Sequence, residues 1–287
     1  MTTTASSDAA FCADLVRTRD FTSYAASLFV PPAPRRAWLA LAAFSSEVSH
    51  VRDHVSQALT GEIRLQWWRD ALTGQAGRTE HSEVTGNPVA AELLRAITEY
   101  KLPVETFIRL IDAHVFDVYD DPMPDIAALE AHCRDTSAAL YALRARTLSV
   151  TAPEVSRIAD HAGIAEGLVD VMLALPRHSA RRQLYLPADL MNLHDVVAED
   201  VFMQKSDKPL REALAHLRRE ARKQLDTAFA LMGNAPAASR PAFLPLVMVQ
   251  RILSKLDASS PFDPPSTSRL ATLWTIWRAA SGAPFKS

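Results

Sequence analysis

Carboxylates, imidazoles and guanidinium groups crowd into two stretches of this chain. In the first, Glu47-x-x-His50 and His50-x-x-x-His54 set three metal-ligating side chains on adjacent parts of one helix. Glu47 with His50 has the spacing used in di-iron bundles, which need a second such pair and further glutamates. No second pair occurs in the sequence, so no metal ligand is assigned and hydrogen-bonded or solvated side chains are the default. At about 100° per residue, Ser46, Ser49, His50 and Asp53 share one wedge of the helix. Opposite it runs an apolar stripe of Phe44, Val48, Val51 and Val55. Such a wedge suits either a solvent face or the wall of an internal cavity.

The second stretch is Arg177-His178-Ser179-Ala180-Arg181-Arg182. Arginine forks onto phosphate or carboxylate without a metal, so Arg177, Arg181 and Arg182 form a candidate anion site. Runs of charge are also commonly just solvated. Asp117, Asp120 and Asp121 form a dense acidic group, but the turn Asp120-Asp121-Pro122-Met123-Pro124 makes helix termination the better reading. Trp67 and Trp68 point about 100° apart on a helix, which predicts one in the core and one partly exposed. Arg64 and Arg69 are placed to pair with Asp70 or Glu62. No Ser-His-Asp signature, phosphate-binding loop or dinucleotide fingerprint is present.

The elements that must carry these groups read as helices. A short one covers Ala10 to Arg17, and Pro34 opens the next, apolar all round from Ala37 to Phe44 and therefore buried. Gly61 to Leu72 follows. Gly86-Asn87-Pro88 is a stop-and-start signal before Val89 to Tyr100. Pro103 opens a helix to about Tyr119. Ile126 to Val150, Pro153 to Leu175, Leu210 to Met232, Ala242 to Leu256 and Arg269 to Ala280 complete the set. No run alternates as a strand between turn signals, and Tyr185-Leu186 is at best extended. The expected organisation is a flexible N-terminus over residues 1–9 and a single all-α domain over 10–287.

Bulk properties narrow the classes of function. The net charge of −2 excludes a global basic field for nucleic acid. Cys12 and Cys133 match no metal spacing and read as free thiols in a reducing compartment. Met1 to Ala10 carries no Lys or Arg and no apolar segment, so neither a signal nor a transit peptide is expected there. The longest apolar run, Ala37 to Phe44, is too short to span a bilayer.

The segment Arg35-Arg36-Ala37-Trp38-Leu39-Ala40-Leu41-Ala42-Ala43-Phe44 is similar to the one preceding the first Asp-rich motif of squalene and phytoene synthases. The resemblance implies the all-α isoprenoid synthase fold, with helices around a central cavity. In that family, aspartates on this helix bind magnesium that grips a substrate diphosphate. The matching positions here are Ser49, His50 and Asp53, so one carboxylate survives. Counting back from Tyr185-Leu186-Pro187, the second motif falls on Asp170, Ala174 and His178; both of its aspartates are missing, and Pro176 is expected to disturb the helix between them. Magnesium wants oxygen ligands in octahedral array; alanine offers none, and histidine prefers softer metals.

A branch of the family fits these departures. The chain resembles the mitochondrial complex I assembly factor 6 group and its bacterial relatives, which keep the fold without the Asp-rich motifs. The resembling stretches are Phe44 to Ser56, Gly61 to Asp70, His161-Ala162-Gly163 through Leu186-Pro187 to His194, and Leu273-Trp274 to Trp277-Arg278. This resemblance implies a non-catalytic protein acting with complex I subunits or assembly intermediates, without cofactor. With no transit peptide expected in Met1 to Ala10, the expectation is a cytoplasmic bacterial protein, at most peripheral at the inner membrane. Two alternatives stand beside it: a magnesium-dependent transferase condensing prenyl diphosphates, and a carrier of an isoprenoid or lipid.

Overall fold

The computed structural model describes residues 2–55, 57–74 and 86–282. Met1, Ser56 at the end of one resembling stretch, residues 75–85, and 283–287 at the end of the expected domain lie outside the described residues. Helices account for every named element among the described residues. They are α1 (Thr2–Arg19), α2 (Phe21–Ser27), α3 (Pro32–Ser49), α4 (Ala58–Thr73), α5 (Pro88–Tyr100), α6 (Val104–Ala113), α7 (Val115–Tyr119) and α8 (Ile126–Cys133). After these come α9 (Ala139–Thr147), α10 (Pro153–Ala180), α11 (Ala188–Leu193), α12 (Ala198–Phe202), α13 (Lys208–Met232), α14 (Leu246–Leu256) and α15 (Arg269–Ser281). The first helix begins eight residues ahead of the expected Ala10, and α2, α11 and α12 were not foreseen because each is a turn or two long.

Local chemistry explains the ends that matter. Asn87 accepts from the backbone N–H of Val89 and Ala90, and Pro88 occupies the first helical position of α5. α3 buries Trp38, Leu41 and Phe44 completely, as its all-round apolar start requires. It stops at Ser49, short of Asp53. His50 Nδ1 donates to the Ser46 carbonyl at 2.8 Å, the acceptor that a continued helix would have offered to the His50 N–H. The chain then tightens into a 3-10 turn over Val51–His54. The Phe44, Val48, Val51, Val55 stripe stays buried through that change.

Three long helices expected from the sequence are altered. The span after Pro103 is two helices, broken at His114. The span from Ile126 is interrupted by a π-helical turn over Arg134–Ala138. Pro176 does not break α10, which runs past it to Ala180. The proline stands in the last turns, where only one backbone bond is lost, and its own carbonyl is held by Ser179 Oγ at 3.0 Å and Gln204 Nε2 at 3.1 Å.

The apolar side chains bury as two clusters. One gathers α10, α13 and α14 around Leu168, Leu217 and Phe243; the other gathers α3, α5 and α6 around Phe44, Leu93 and Phe107. α9 contributes to both, and α10, wholly in the first, packs on α13, α9 and the π-helical turn. Gly163 and Gly167 make that last approach possible: a Cβ on Gly163 would lie within 3.0 Å of the Ala138 backbone, and one on Gly167 would meet Cys133 Sγ.

Candidate functional site

A cavity of about 530 Å³ opens among α3, the 3-10 turn, α7, the π-helical turn, α9 and α10. Ser49, His50, Asp53, Asp170, Ala174 and His178 all line it. The polar wedge of α3 is therefore a cavity wall, and the two motif positions share one space.

At one end stands Asp53. Arg181 donates to its carboxylate, and Arg177 Nη1 lies 3.6 Å from its second oxygen. Burial alone would raise the carboxyl pKa, but the Arg181 hydrogen bond and the charges of Arg177 and Arg181 outweigh it and hold the group below its usual range. Arg182 leaves the cluster. α10 ends in a paired cap: the Arg182 N–H bonds the Ser179 carbonyl and the Gln183 N–H bonds the His178 carbonyl, with Arg182 left-handed at φ 57°. Its guanidinium points away to Glu199 at 2.7 Å and over the Phe202 ring at 4.4 Å. The expected three-arginine site is thus two arginines facing the cavity and one facing outward.

The opposite wall is acidic. Glu166 and Asp170 stand one helical turn apart on α10, with Asp20 from the start of α2 beside them. Asp170 is deep in the protein yet its side chain is wetted by the cavity. Burial, with Asp20 adding like charge and Arg144 opposing, pushes Glu166 up to about 7. Burial and the neighbouring Glu166 raise Asp170 well above the carboxylate range. Arg144 is almost fully buried, donates to Ser23 Oγ at 2.6 Å and lies over the Trp38 ring at 4.9 Å.

A third group fills the wall between. His114 Nδ1 and Asp117 Oδ2 are 2.6 Å apart, Tyr185 donates to Asp117 Oδ1, and Gln183 Nε2 donates to the Asp117 carbonyl at 3.1 Å. Asp117 is buried, which corrects its reading as a helix terminator; Asp120 keeps that role, left-handed at the end of α7 and paired with Arg52 at 2.6 Å. His178 packs on the Tyr185 ring at 4.6 Å, and burial with the charge of Arg177 lowers it to about 4, so it is neutral near pH 7.

Other expected groups do not assemble. Glu47 pairs with Arg19 at 3.2 Å and His54 is exposed, so Glu47, His50 and His54 form no common site. Arg69 reaches Asp112, and Glu62 accepts from Tyr119 at 2.8 Å, so neither makes the helix-surface pair expected of it. Trp68 is buried and Trp67 half-buried. Cys12 and Cys133 are buried and unpaired. Sequence reading missed Glu166, though it falls on the same helical face as Asp170 and Ala174, four and eight residues on. It missed His114, His132 and Arg144, for which no spacing signal existed.

The residues present do not fit magnesium at the motif positions. Asp53 is taken by Arg181 and Arg177, Ala174 has no donor, and His178 offers nitrogen rather than oxygen.

The helical order around one cavity defines a class. The squalene/phytoene synthase family model matches residues 16–274, and the chain belongs to that family. Complex I assembly factor 6 of Rattus norvegicus is 33% identical over 248 residues, covering 86% of this chain and 73% of that protein. The Homo sapiens protein of the same name is 30% identical over the same shares. A presqualene diphosphate synthase from Rhodopseudomonas palustris is 24% identical over 74% of this chain and 75% of its own. Among solved structures, squalene synthase HpnC from Alicyclobacillus acidocaldarius superposes with a TM-score of 0.76 at 21% identity, covering 91% of this chain and 97% of that one. A dehydrosqualene synthase superposes at 0.80 with 16% identity, covering 96% of each. The chain has the isoprenoid synthase fold of these enzymes.

Proposed function

We propose that this protein is a non-catalytic member of the squalene/phytoene synthase family that acts in the assembly of respiratory complex I. One observation carries the non-catalytic half: the surviving motif carboxylate, Asp53, is bound by Arg181 and Arg177 rather than left open to a cation. The similarity to assembly factor 6 proteins over most of the chain supports the other half. A scaffold can keep its fold and surface after its catalytic ligands are lost, since function lives in sites rather than folds. The partners in this reading are complex I subunits or assembly intermediates. No helix among the described residues is long and apolar enough to cross a membrane.

Deleting the protein tests this reading. Assembled complex I and NADH-linked respiration should fall, while squalene and carotenoid levels stay near normal. A Ser49→Ala variant should restore respiration. Purified protein given farnesyl diphosphate and magnesium should release no pyrophosphate above the uncatalysed rate. Loss of a polyprenyl product with complex I intact would reverse the assignment.

A further inference from the structure

The cavity wall carries a constellation that neither motif position includes. His114 lies at the break between α6 and α7, Asp117 on α7, and His132 near the end of α8. One ligand atom from each can be chosen so that all lie within 4.8 Å of one another, and all three side chains line the cavity. We propose that His114, Asp117 and His132 form a binding site for a divalent transition-metal ion of the zinc type, with its remaining coordination positions open to the cavity. The proposal does not depend on the assembly reading.

The donor set selects the ion. Two imidazoles and one carboxylate suit zinc and its transition-metal neighbours, whereas magnesium and calcium want oxygen alone. Three protein ligands leave at least one position for water or an anion, the pattern of an open rather than a sealed site. Two atoms each about 2.1 Å from one ion are at most about 4.2 Å apart. The ligand atoms, within 4.8 Å of one another, are close to that spacing, and binding would draw them together.

The surroundings agree. His132 makes no side-chain hydrogen bond among the described residues. Its ring contacts are with His114, Phe116 and Tyr185. His161, also partly buried, has Gln224 Oε1 at 2.6 Å. Asp117 is already oriented from behind by the Tyr185 hydroxyl, and its backbone carbonyl by Gln183, the supporting shell a ligating carboxylate needs. Binding at His114 Nδ1 would displace the proton shared with Asp117 Oδ2, which a neutral ring then carries on Nε2.

The competing account is a hydrogen-bonded cluster that only ties α7 to the loop carrying Tyr185. Chelator-treated full-length protein titrated with zinc, and separately with cobalt(II), separates the two. The expected result is one equivalent of metal retained through gel filtration, a rise in Tm with zinc, and intense visible absorption from low-coordinate cobalt. His132→Gln and His114→Gln, each checked for fold by circular dichroism, should weaken binding at least tenfold. Asp53→Asn and His54→Ala should leave it unchanged. The proposal is overturned if wild-type protein retains no metal, if a folded His132→Gln or His114→Gln variant binds as well as wild type, or if Asp53→Asn removes the binding instead.

Discussion

Arg181 at the end of α10 donates to Asp53 in the 3-10 turn after α3, so an ion pair joins the surviving first-motif carboxylate to the helix that carries the second motif. Asp53→Asn should remove the attraction and leave Arg177 and Arg181 facing each other uncompensated. Because the pair is partly exposed, the loss in unfolding free energy should be about 1 kcal/mol. The folded carboxyl pKa is depressed, so its stabilisation is present above the unfolded value near 4 and disappears as pH falls through the lower folded one. Urea denaturation of both proteins from pH 7 down to pH 3 should show the two curves converging at the acid end. A constant gap at every pH would assign the difference to packing instead.

Arg182 is the neighbour that does not take part. Its left-handed backbone favours glycine, while the Glu199 pair and the Phe202 contact it would lose are surface interactions of modest worth. Arg182→Gly should therefore melt close to wild type. In calorimetric titration with inorganic pyrophosphate, Arg177→Ala with Arg181→Ala should lower affinity by about tenfold or more, the cost of roughly 1.4 kcal/mol. Arg182→Gly should not. Equal loss from both would restore Arg182 to the cavity site.

The helical fold was legible because its signals are local. Asn87-Pro88 places a cap and a first residue, and the run from Ala37 to Phe44 has no polar face to expose. The breaks were not: at the first, the His50 side chain takes the Ser46 carbonyl from the backbone, and at the second, His114 pairs with the Asp117 side chain. The π-helical turn depends on Gly163 and Gly167, some 25 residues or more away from it in sequence. The motif positions could be counted from Tyr185-Leu186-Pro187, and they do line one cavity. Asp117 misled because a carboxylate before a proline turn looks like a helix end. What buries it is Tyr185, 68 residues on, and no spacing rule links the two.

The close approach of α10 to the π-helical turn should be intolerant of a single methyl group. At Gly163 a Cβ would collide with the backbone N and Cα of Ala138, which cannot rotate away. Gly163→Ala should cost about 3 kcal/mol, or roughly 6–12 °C in Tm for a chain of this size. Gly233→Ala is the control. Its Cβ would come no closer than 3.4 Å to another atom and its φ of −57° suits alanine, so its Tm should hold or rise slightly. Matching losses at both sites would remove the packing explanation.

The acidic wall should give the protein an inverted pH response. Glu166 has a folded pKa of about 7 against an unfolded value near 4.3, so between these the folded state holds a proton that the unfolded chain has released. Stability from this group is therefore complete below about pH 4 and is lost as pH rises toward 7. His178 acts oppositely: its folded value of about 4 lies below the unfolded 6.5, so stability falls as pH drops between them. In wild type the two slopes partly cancel. Glu166→Gln keeps a neutral side chain beside Arg144 and Tyr141 at every pH, which removes the Glu166 slope and leaves those of His178 and the other shifted groups. Relative to wild type, the variant should gain on the order of 1–2 kcal/mol on moving from pH 5 to pH 8. Thermal melts at half-unit steps would show the two Tm curves separating as pH rises. Parallel curves would mean that Glu166 is already ionised in the folded protein and that Arg144 neutralises it.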